Sequence, residues 1–171
     1  MIHKLTTVLA IVFIGFLPVS VSAQVASDGV GTAPAAEPAL SVLALWQDDP
    51  TLIFPADGLD LKDFVWQARP LVVFADSPDD PNFRRQMQLL TARIGELALR
   101  DVIVITDTDS ANPSSARTAL RPRGFMLALV DKDGRVALRK PSPQDVRELT
   151  RSIDKMPLRI QEVEDRRTLG N

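Results

Sequence analysis

Residues 71–83 of this 171-residue chain read LVVFADSPDDPNF, and this stretch decides the fold. Its first five residues, 71–75, are apolar and rich in branched side chains, which predicts a short and fully buried strand. Its second half predicts the start of a helix, with Asp80 as the capping residue and Pro81 at the first helical position. The stretch therefore predicts a strand that leads through a polar loop into a helix.

The residues that follow extend this pattern to a strand–helix–strand unit. Apolar residues recur at spacings of three and four, which predicts one helix with a single apolar face; they are Phe83, Met87, Leu90, Ile94 and Leu97. A second buried strand is predicted at residues 102–105, which read VIVI. A strand, a helix and a strand in this order form a right-handed unit with parallel strands.

The last third of the domain predicts a short helix, a hairpin and a final helix. The short helix covers residues 114–120, a third strand covers 125–130, and residues 131–134 form a tight turn before a returning strand at 135–139. Ser142-Pro143 is predicted to cap the last helix, whose inward-facing residues are Val146, Leu149, Ile153 and Met156. The predicted fold is α/β, in the order β-α-β-α-β-β-α, with helices on both faces of a mixed sheet.

The composition excludes several classes of protein. The chain has 20 lysines and arginines against 22 acidic residues, a balance that argues against nucleic-acid binding. It has no cysteine and no tyrosine, and its single histidine is His3. Disulfides, thiolate metal sites and thiol catalysis are thereby excluded, and no cofactor is indicated. A specific biochemical activity cannot be read from these residues.

The amino-terminal segment has the features of a secretory signal peptide. The basic pair His3-Lys4 precedes an apolar stretch from residue 5 to 19, and residues 21–23 read VSA, a site that signal peptidase can cleave. The apolar stretch is shorter than a membrane-spanning helix requires, so the alternative of a permanent anchor is disfavoured. We expect cleavage after residue 23, a periplasmic or secreted protein, and no stable membrane insertion after cleavage.

Four segments follow from this interpretation. Residues 1–23 are the signal peptide, 24–41 a flexible linker rich in Ala, Gly and Pro, 42–157 the folded domain and 158–171 a charged tail that extends a helix for a turn or two.

Three aromatic residues precede the first predicted strand: Trp46, Phe64 and Trp66. We expect them in the core or covering its edge, with an exposed recognition patch as the alternative.

Two stretches resemble thioredoxin-like proteins. Residues 71–83 resemble the strand, active-site loop and helix start of that fold, and residues 123–138, RGFMLALVDKDGRVAL, resemble its closing hairpin. More closely, the chain resembles, from about residue 60 to 159, a family of exported bacterial proteins known only as a domain of unknown function. The positions of the two redox cysteines fall on Pro78 and Pro81, and that of the cis-proline falls on Met126. The resemblance therefore implies a thioredoxin-like fold without thiol–disulfide oxidoreductase activity.

Polar loops at one end of the predicted sheet are the candidate site. Five carboxylates follow the first two strands at Asp76, Asp79, Asp80, Asp107 and Asp109, and three arginines precede the third at Arg117, Arg121 and Arg123. Because thioredoxin-like folds bring these loops together, the acidic loop should face the arginines. The pairs can form a structural network, or the loops can form a groove for a small anion or a partner segment. The candidate groove residues are Asp76, Ser77, Asp79, Asp80, Arg121 and Arg123.

Three classes of function remain open. The first and favoured one is a non-catalytic binding or accessory domain of the cell envelope, whose partner is an envelope protein or a small anionic ligand. The second is a metal-dependent hydrolase or transferase that uses Asp76, Asp79 or Asp107, since hard cations prefer carboxylate oxygens. The third is a structural partner in an envelope complex that binds through the linker or the tail. No catalytic residue and no metal ligand is assigned.

Export generates the first testable prediction. Amino-terminal sequencing of the protein recovered from the cell envelope should begin at Gln24, because cleavage is expected after Ala23. Recovery of membrane-bound protein that still begins at Met1 would contradict the predicted cleavage.

Overall fold

The computed structural model of this chain describes residues 41–170. The predicted signal peptide and residues 24–40 of the predicted linker lie outside the described residues. Ser41 caps the first helix, because its hydroxyl oxygen accepts a hydrogen bond from the backbone N–H of Ala44. Within the part of the chain that is described, no helix has the length and apolar character needed to cross a membrane.

A five-stranded mixed sheet forms the centre of the domain, in the order β1-β3-β2-β4-β5. Its strands are β1 (Ile53–Pro55), β2 (Arg69–Phe74), β3 (Val102–Asp107), β4 (Met126–Val130) and β5 (Val136–Lys140). The middle strand β2 runs parallel to β3, with Leu71 opposite Val104, and antiparallel to β4, with Leu71 opposite Leu129. The predicted parallel unit, the hairpin and the thioredoxin-like order are confirmed. The sequence does not predict β1, because three residues are too few to show a periodic pattern.

Helices cover both faces of the sheet, as predicted. They are α1 (Val42–Asp48), α2 (Pro81–Thr91), α3 (Ile94–Ala98), α4 (Ser115–Leu120), α5 (Val146–Ile153) and α6 (Pro157–Leu169). On one face, Trp46 of α1 and Leu120 of α4 pack with Val72 and Phe74 of β2. On the other face, α2, α3 and α5 pack against the alternate side chains of the same strands. The alternation along β2 thus divides the core into two clusters.

The prediction of a single helix after β2 is wrong. The helix ends at Thr91 and a second one begins at Ile94, because Arg93 leaves the helical region of backbone conformation (φ −141°, ψ 30°). All five apolar residues of the stripe nevertheless pack in one core cluster. The spacing therefore predicts the buried face correctly and the length of the helix wrongly.

The carboxyl-terminal helices also differ from the prediction. Asp145, and not Ser142-Pro143, caps α5, since its carboxylate accepts a hydrogen bond of 2.7 Å from the N–H of Arg147. The segment before it is held by Gln86, which exchanges two hydrogen bonds with the backbone of Gln144. Beyond α5, the predicted turn or two of helix is instead the 13-residue helix α6.

Two of the three aromatic residues before β2 lie in the core, as expected. Trp46 is 6% exposed and Phe64, which ends a short 3-10 helix at Leu61–Phe64, is 1% exposed. Trp66 is 64% exposed, so the expectation of burial is wrong for it. The backbone of Trp66 adopts a left-handed conformation (φ 64°), in which its N–H donates to the carbonyl of Lys132. This turn directs the indole away from the core.

A fully buried arginine begins the central strand. The guanidinium of Arg69 donates to Asp131 at 2.9 Å, to Glu162 of α6 at 2.8 Å and to the carbonyl of Arg100 at 3.0 Å. Lys132 lies 3.1 Å from the same Glu162 carboxylate. A buried charge is costly unless it is paired and hydrogen-bonded, so these contacts join α6 and the hairpin turn to the start of β2.

The Arg69 cluster generates the second prediction. Burial alone would raise the pKa of Glu162, but hydrogen bonds from Arg69 and Lys132 outweigh it and lower the pKa from 4.5 to about 2. The charged carboxylate therefore stabilises the folded protein above pH 4.5, and this contribution is lost as the pH falls from 4.5 towards 2. Glu162→Gln should lower the free energy of unfolding at pH 7 by about 1.5–3 kcal/mol, measured by urea denaturation. It should also weaken the dependence of stability on pH over that window.

The matched control is Glu164→Gln on the same helix, because Glu164 is exposed and its one ion pair among the described residues is with the exposed Arg167. It should change the free energy of unfolding by no more than about 0.5 kcal/mol. Equal effects of the two substitutions would show that the buried cluster does not hold α6 in place.

Candidate functional site

The candidate site lies at the end of the sheet where β2 and β3 finish and β4 begins. Phe74, the last residue of β2, pairs with Asp107 on one side and with Met126 on the other. Because β4 runs antiparallel to β2, the loop that precedes β4 and the loop that follows β2 meet at the same end of the sheet. The predicted juxtaposition of the two loops follows from this register.

A buried ion pair occupies the β3 side of this end of the sheet. Arg117 of α4 donates to one carboxylate oxygen of Asp107 through two nitrogens, at 2.9 and 2.7 Å, and both residues are buried. The same guanidinium donates to the carbonyl of Ala75 at 2.6 Å, and its central carbon lies 5.5 Å from the centre of the Phe74 ring. The hydroxyl of Ser114 donates to the other oxygen of Asp107 at 2.6 Å. Both oxygens of Asp107 are thus engaged in holding α4 on the sheet.

The loop after β2 contacts one of the three candidate arginines. Asp76 lies 3.5 Å from Arg117, and its side chain is 60% exposed. Asp79 pairs instead with the exposed Arg84 at 3.5 Å. Within residues 41–170, no ion pair joins this loop to Arg121 or Arg123. The predicted network between the two loops is therefore present at Arg117 and does not extend to the other two arginines.

The remaining polar residues of this loop have local contacts. Asp80 caps α2 as predicted, because its carboxylate accepts hydrogen bonds from the N–H groups of Asn82 and Phe83 at 2.7 and 3.1 Å. The hydroxyl of Ser77 accepts a hydrogen bond from the N–H of Asp79 at 3.1 Å. These contacts shape a turn and start a helix.

Asp109, the fifth carboxylate, follows the same local pattern. Hydrogen bonds from the side chain and N–H of Asn112 lower its pKa. Across the described residues, no group of three or more acidic or histidine side chains is arranged to hold a metal ion.

Arg121 and Arg123 lie instead at a pocket on the β5 side of this end of the sheet. We call it the cationic pocket. Its volume is about 300 Å³. Four basic side chains and three apolar residues line it: Arg121, Arg123, Arg139, Lys140, Phe125, Met126 and Pro141. It lies next to the loop after β2, since a Cβ at Gly124 would come within 3.9 Å of the Asp76 carboxylate.

The end of α4 shapes the loop that carries two of these arginines. Arg121 adopts a left-handed conformation (φ 49°) directly after α4, and its N–H donates to the carbonyl of Arg117 at 2.8 Å. Gly124 also has a positive φ (63°), which a residue with a side chain rarely adopts. Arg139 of β5 donates to the carbonyl of Leu120 at 2.6 Å. Helix end, loop and edge strand are thereby held together around the pocket.

The cationic pocket carries uncompensated charge. None of its four basic residues forms an ion pair with a carboxylate in the described part of the chain, in which Arg117, Arg69 and Arg100 all do. Positive charges that converge on a concave surface attract anions. The pocket is therefore suited to hold a carboxylate or phosphate group.

Only part of this site follows from the sequence. Arg121 and Arg123 are candidate groove residues on the sequence alone, whereas Arg139 and Lys140, which line the same pocket, are not. The sequence signal for these two is their place at the end of the returning hairpin strand, which brings them beside the start of β4.

The comparisons with known proteins give a family and a set of similar folds. A model of the family described as "Domain of unknown function (DUF4174)" matches residues 60–162. The reduced 2-Cys peroxiredoxin of Plasmodium vivax is similar with a TM-score of 0.49 and 14% identity, covering 63% of this chain and 85% of that one.

Two further solved structures are similar at lower scores. The mitochondrial 2-Cys peroxiredoxin of Plasmodium falciparum has a TM-score of 0.43 and 16% identity, covering 56% of this chain and 79% of its own. Thioredoxin peroxidase I of Plasmodium yoelii has a TM-score of 0.43 and 16% identity, covering 63% of this chain and 80% of its own. No curated protein matches the sequence at a significant level.

The buried ion pair generates the third prediction. Asp107→Ala should lower the free energy of unfolding by about 3–5 kcal/mol in urea denaturation, because it leaves the buried charge of Arg117 without its main partner. Asp79→Ala, in an exposed pair of the neighbouring loop, should lower it by less than about 1 kcal/mol. A loss at Asp79 as large as that at Asp107 would contradict this division of the carboxylates.

Proposed function

Because the chain belongs to the DUF4174 family, which is described only as a domain of unknown function, we propose a function from the geometry of its site. The protein is a redox-inactive, thioredoxin-like binding domain of the cell envelope. Its cationic pocket holds an anionic group, which is presented by a small ligand or by an envelope protein. The chain has no cysteine, so thiol chemistry has no part in this function.

The observation that carries the proposal is the contrast in charge between the two sides of the site. On the β3 side, Arg117 and Asp107 neutralise each other in a buried pair. On the β5 side, four basic residues surround a pocket and no carboxylate of the described chain pairs with them. Like charges that face one cavity repel each other, and an anion in the cavity would relieve that repulsion.

The pocket is also held in shape before any ligand arrives. Pro122 and Pro141 restrict the backbone on both sides of it. Arg139, which also lines the pocket, is held by its hydrogen bond to the carbonyl of Leu120 at the end of α4. Binding to an ordered site loses less conformational entropy, so more of the ion-pair energy contributes to affinity.

No observation favours the metal-dependent hydrolase. That reaction would use Asp76, Asp79 or Asp107, and the structure does not bring the three together as a ligand set. Both oxygens of Asp107 already accept hydrogen bonds from Arg117 and Ser114. Asp79 points to Arg84 on the surface.

Placement in the envelope is supported by the amino-terminal segment. A basic start, an apolar stretch of signal-peptide length and a small-residue cleavage site occur together in residues 1–23. Outside the cytoplasm, a domain without cysteine depends on its core and ion pairs for stability, and the domain described above has two core clusters and three buried arginines.

The fourth prediction tests the pocket with pyrophosphate as the probe. The full-length gene product, purified as the cell processes it and labelled with ¹⁵N, should show pyrophosphate-dependent changes in amide shifts. These should concentrate at residues 121–126 and 139–141, because the residues that line the pocket lie in these two segments. Arg123→Ala should weaken the apparent affinity about tenfold, the loss of one charge-assisted contact.

The matched control is Arg135→Ala, which removes the same charge from the residue that precedes β5. Arg135 is outside the pocket, and its nearest carboxylate is Asp133 at 3.6 Å. This variant should bind pyrophosphate as the unaltered protein does. Shift changes spread evenly over the surface, or equal losses in both variants, would mean that the pocket is not an anion site.

A further inference from the structure

The proposed function leaves open which molecule presents the anion. The edge strand β5, which lies beside the pocket, indicates what kind of molecule this is. Within residues 41–170, strand β5 is the last strand of the sheet and pairs with β4 alone. An edge strand has a row of N–H and C=O groups on its free side that another extended chain can pair with. We propose that the partner is an acidic, extended protein segment that adds to β5 as a sixth strand.

The regular part of this edge is short and is located next to the pocket. The pairing between β4 and β5 shifts by one residue, since Leu129 lies opposite Leu138 and Val130 lies opposite Val136. Ala137 is the extra residue, and such a bulge bends a strand and interrupts its ladder. Regular strand geometry therefore remains at residues 138–140, directly before the pocket residue Pro141.

Three residues are enough for a strand to pair in this fold. At the opposite edge, β1 consists of Ile53–Pro55 and pairs in parallel with three residues of β3. An added segment at residues 138–140 would have the same length as β1. The ion pairs at the pocket would supply the affinity that so short a ladder lacks.

Charge determines which chains can pair with this edge. Arg139 and Lys140 lie on the pairing segment, and Arg121 and Arg123 lie at its end. A second copy of the same strand would bring like charges together, which disfavours pairing between copies. An acidic segment meets four positive side chains instead, so the edge selects for acidic partners.

A second depression indicates that the partner segment also carries an apolar side chain. On the other side of Arg139 lies a groove of about 290 Å³ that is lined mainly by apolar side chains. These are Leu61, Val65, Ala119, Leu120, Val130 and Val136. Alternate side chains of an added strand point to the same face. The partner segment should therefore carry acidic residues at the pocket and an aliphatic residue on the same face, beside the groove.

The proposal rests on the proposed function, and fluorescence anisotropy with labelled peptides can separate the two. The probe is acetyl-Glu-Glu-Val-Glu-Val-Glu-Glu-amide, added to the purified full-length gene product as the cell processes it. One derivative is N-methylated at its two valines, and the other at the central glutamate and the two glutamates that flank the valines. Both derivatives keep the charge of the parent, and within the five central residues each lacks the N–H groups of one alternate set.

A strand at an edge uses only one alternate set of its N–H groups to pair. One derivative should therefore bind about tenfold more weakly than the parent and the other about as well, a loss of one to two hydrogen bonds. Arg123→Ala should weaken all three peptides, and Arg135→Ala none of them.

Three outcomes would count against the proposal, and they differ from one another. If both derivatives bind like the parent but all depend on Arg123, the anion site stands and strand addition is wrong. If neither the peptides nor pyrophosphate depend on Arg123, the proposed function itself is wrong. If vesicles that contain phosphatidylglycerol bind in an Arg123-dependent manner and no peptide does, the partner is a lipid surface and the proposal is overturned.

Discussion

Strand β2 pairs in two different directions, and the rest of the structure is arranged around this fact. It is buried at all six positions, parallel to β3 on one side and antiparallel to β4 on the other. The parallel side places the ends of β2 and β3 together, and the antiparallel side places the start of β4 beside them. Polar loops from three strands therefore meet at one end of the sheet, where backbone groups and side chains remain accessible.

The two ends of β2 differ in how they accommodate charge. At the first end, Arg69 is fully buried and its guanidinium is surrounded by acceptors from Asp131, Glu162 and a backbone carbonyl. At the other end, Arg121 and Arg123 are exposed and pair with no carboxylate of the described residues. Desolvation explains the difference: a buried guanidinium requires partners, whereas water solvates an exposed one at little cost.

The sequence predicts the central elements because their patterns are local. The apolar runs at residues 71–75 and 102–105, the Asp80 cap and the hairpin turn at 131–134 each depend on a few adjacent residues. The break at Arg93 and the turn at Trp66 depend on backbone conformations that no periodicity reveals. The sequence does not predict the burial of Arg69 for another reason. The groups that accept its hydrogen bonds are 31 to 93 residues away in the chain.

The bulge at Ala137 sets a register between β4 and β5 that the hairpin pattern in the sequence does not predict. Counting back from the turn with Val130 opposite Val136 would place Ala128 opposite Leu138. The observed register places Ala128 opposite Arg139 instead. A slip of one residue exchanges the two faces of a strand, so regular counting would place Arg139 on the wrong face of the sheet.

The bulge therefore connects the stability of the edge with the composition of the site. A continuous, flat edge strand invites uncontrolled pairing, and a bulge together with basic side chains discourages it. The same residue insertion turns Arg139 towards the end of α4, where Leu120 accepts its hydrogen bond. Arg139 lines the same pocket as Arg121 and Arg123, which lie in a different loop of the chain. One inserted residue in β5 thus interrupts the regular ladder with β4 and determines the face of the sheet on which Arg139 lies.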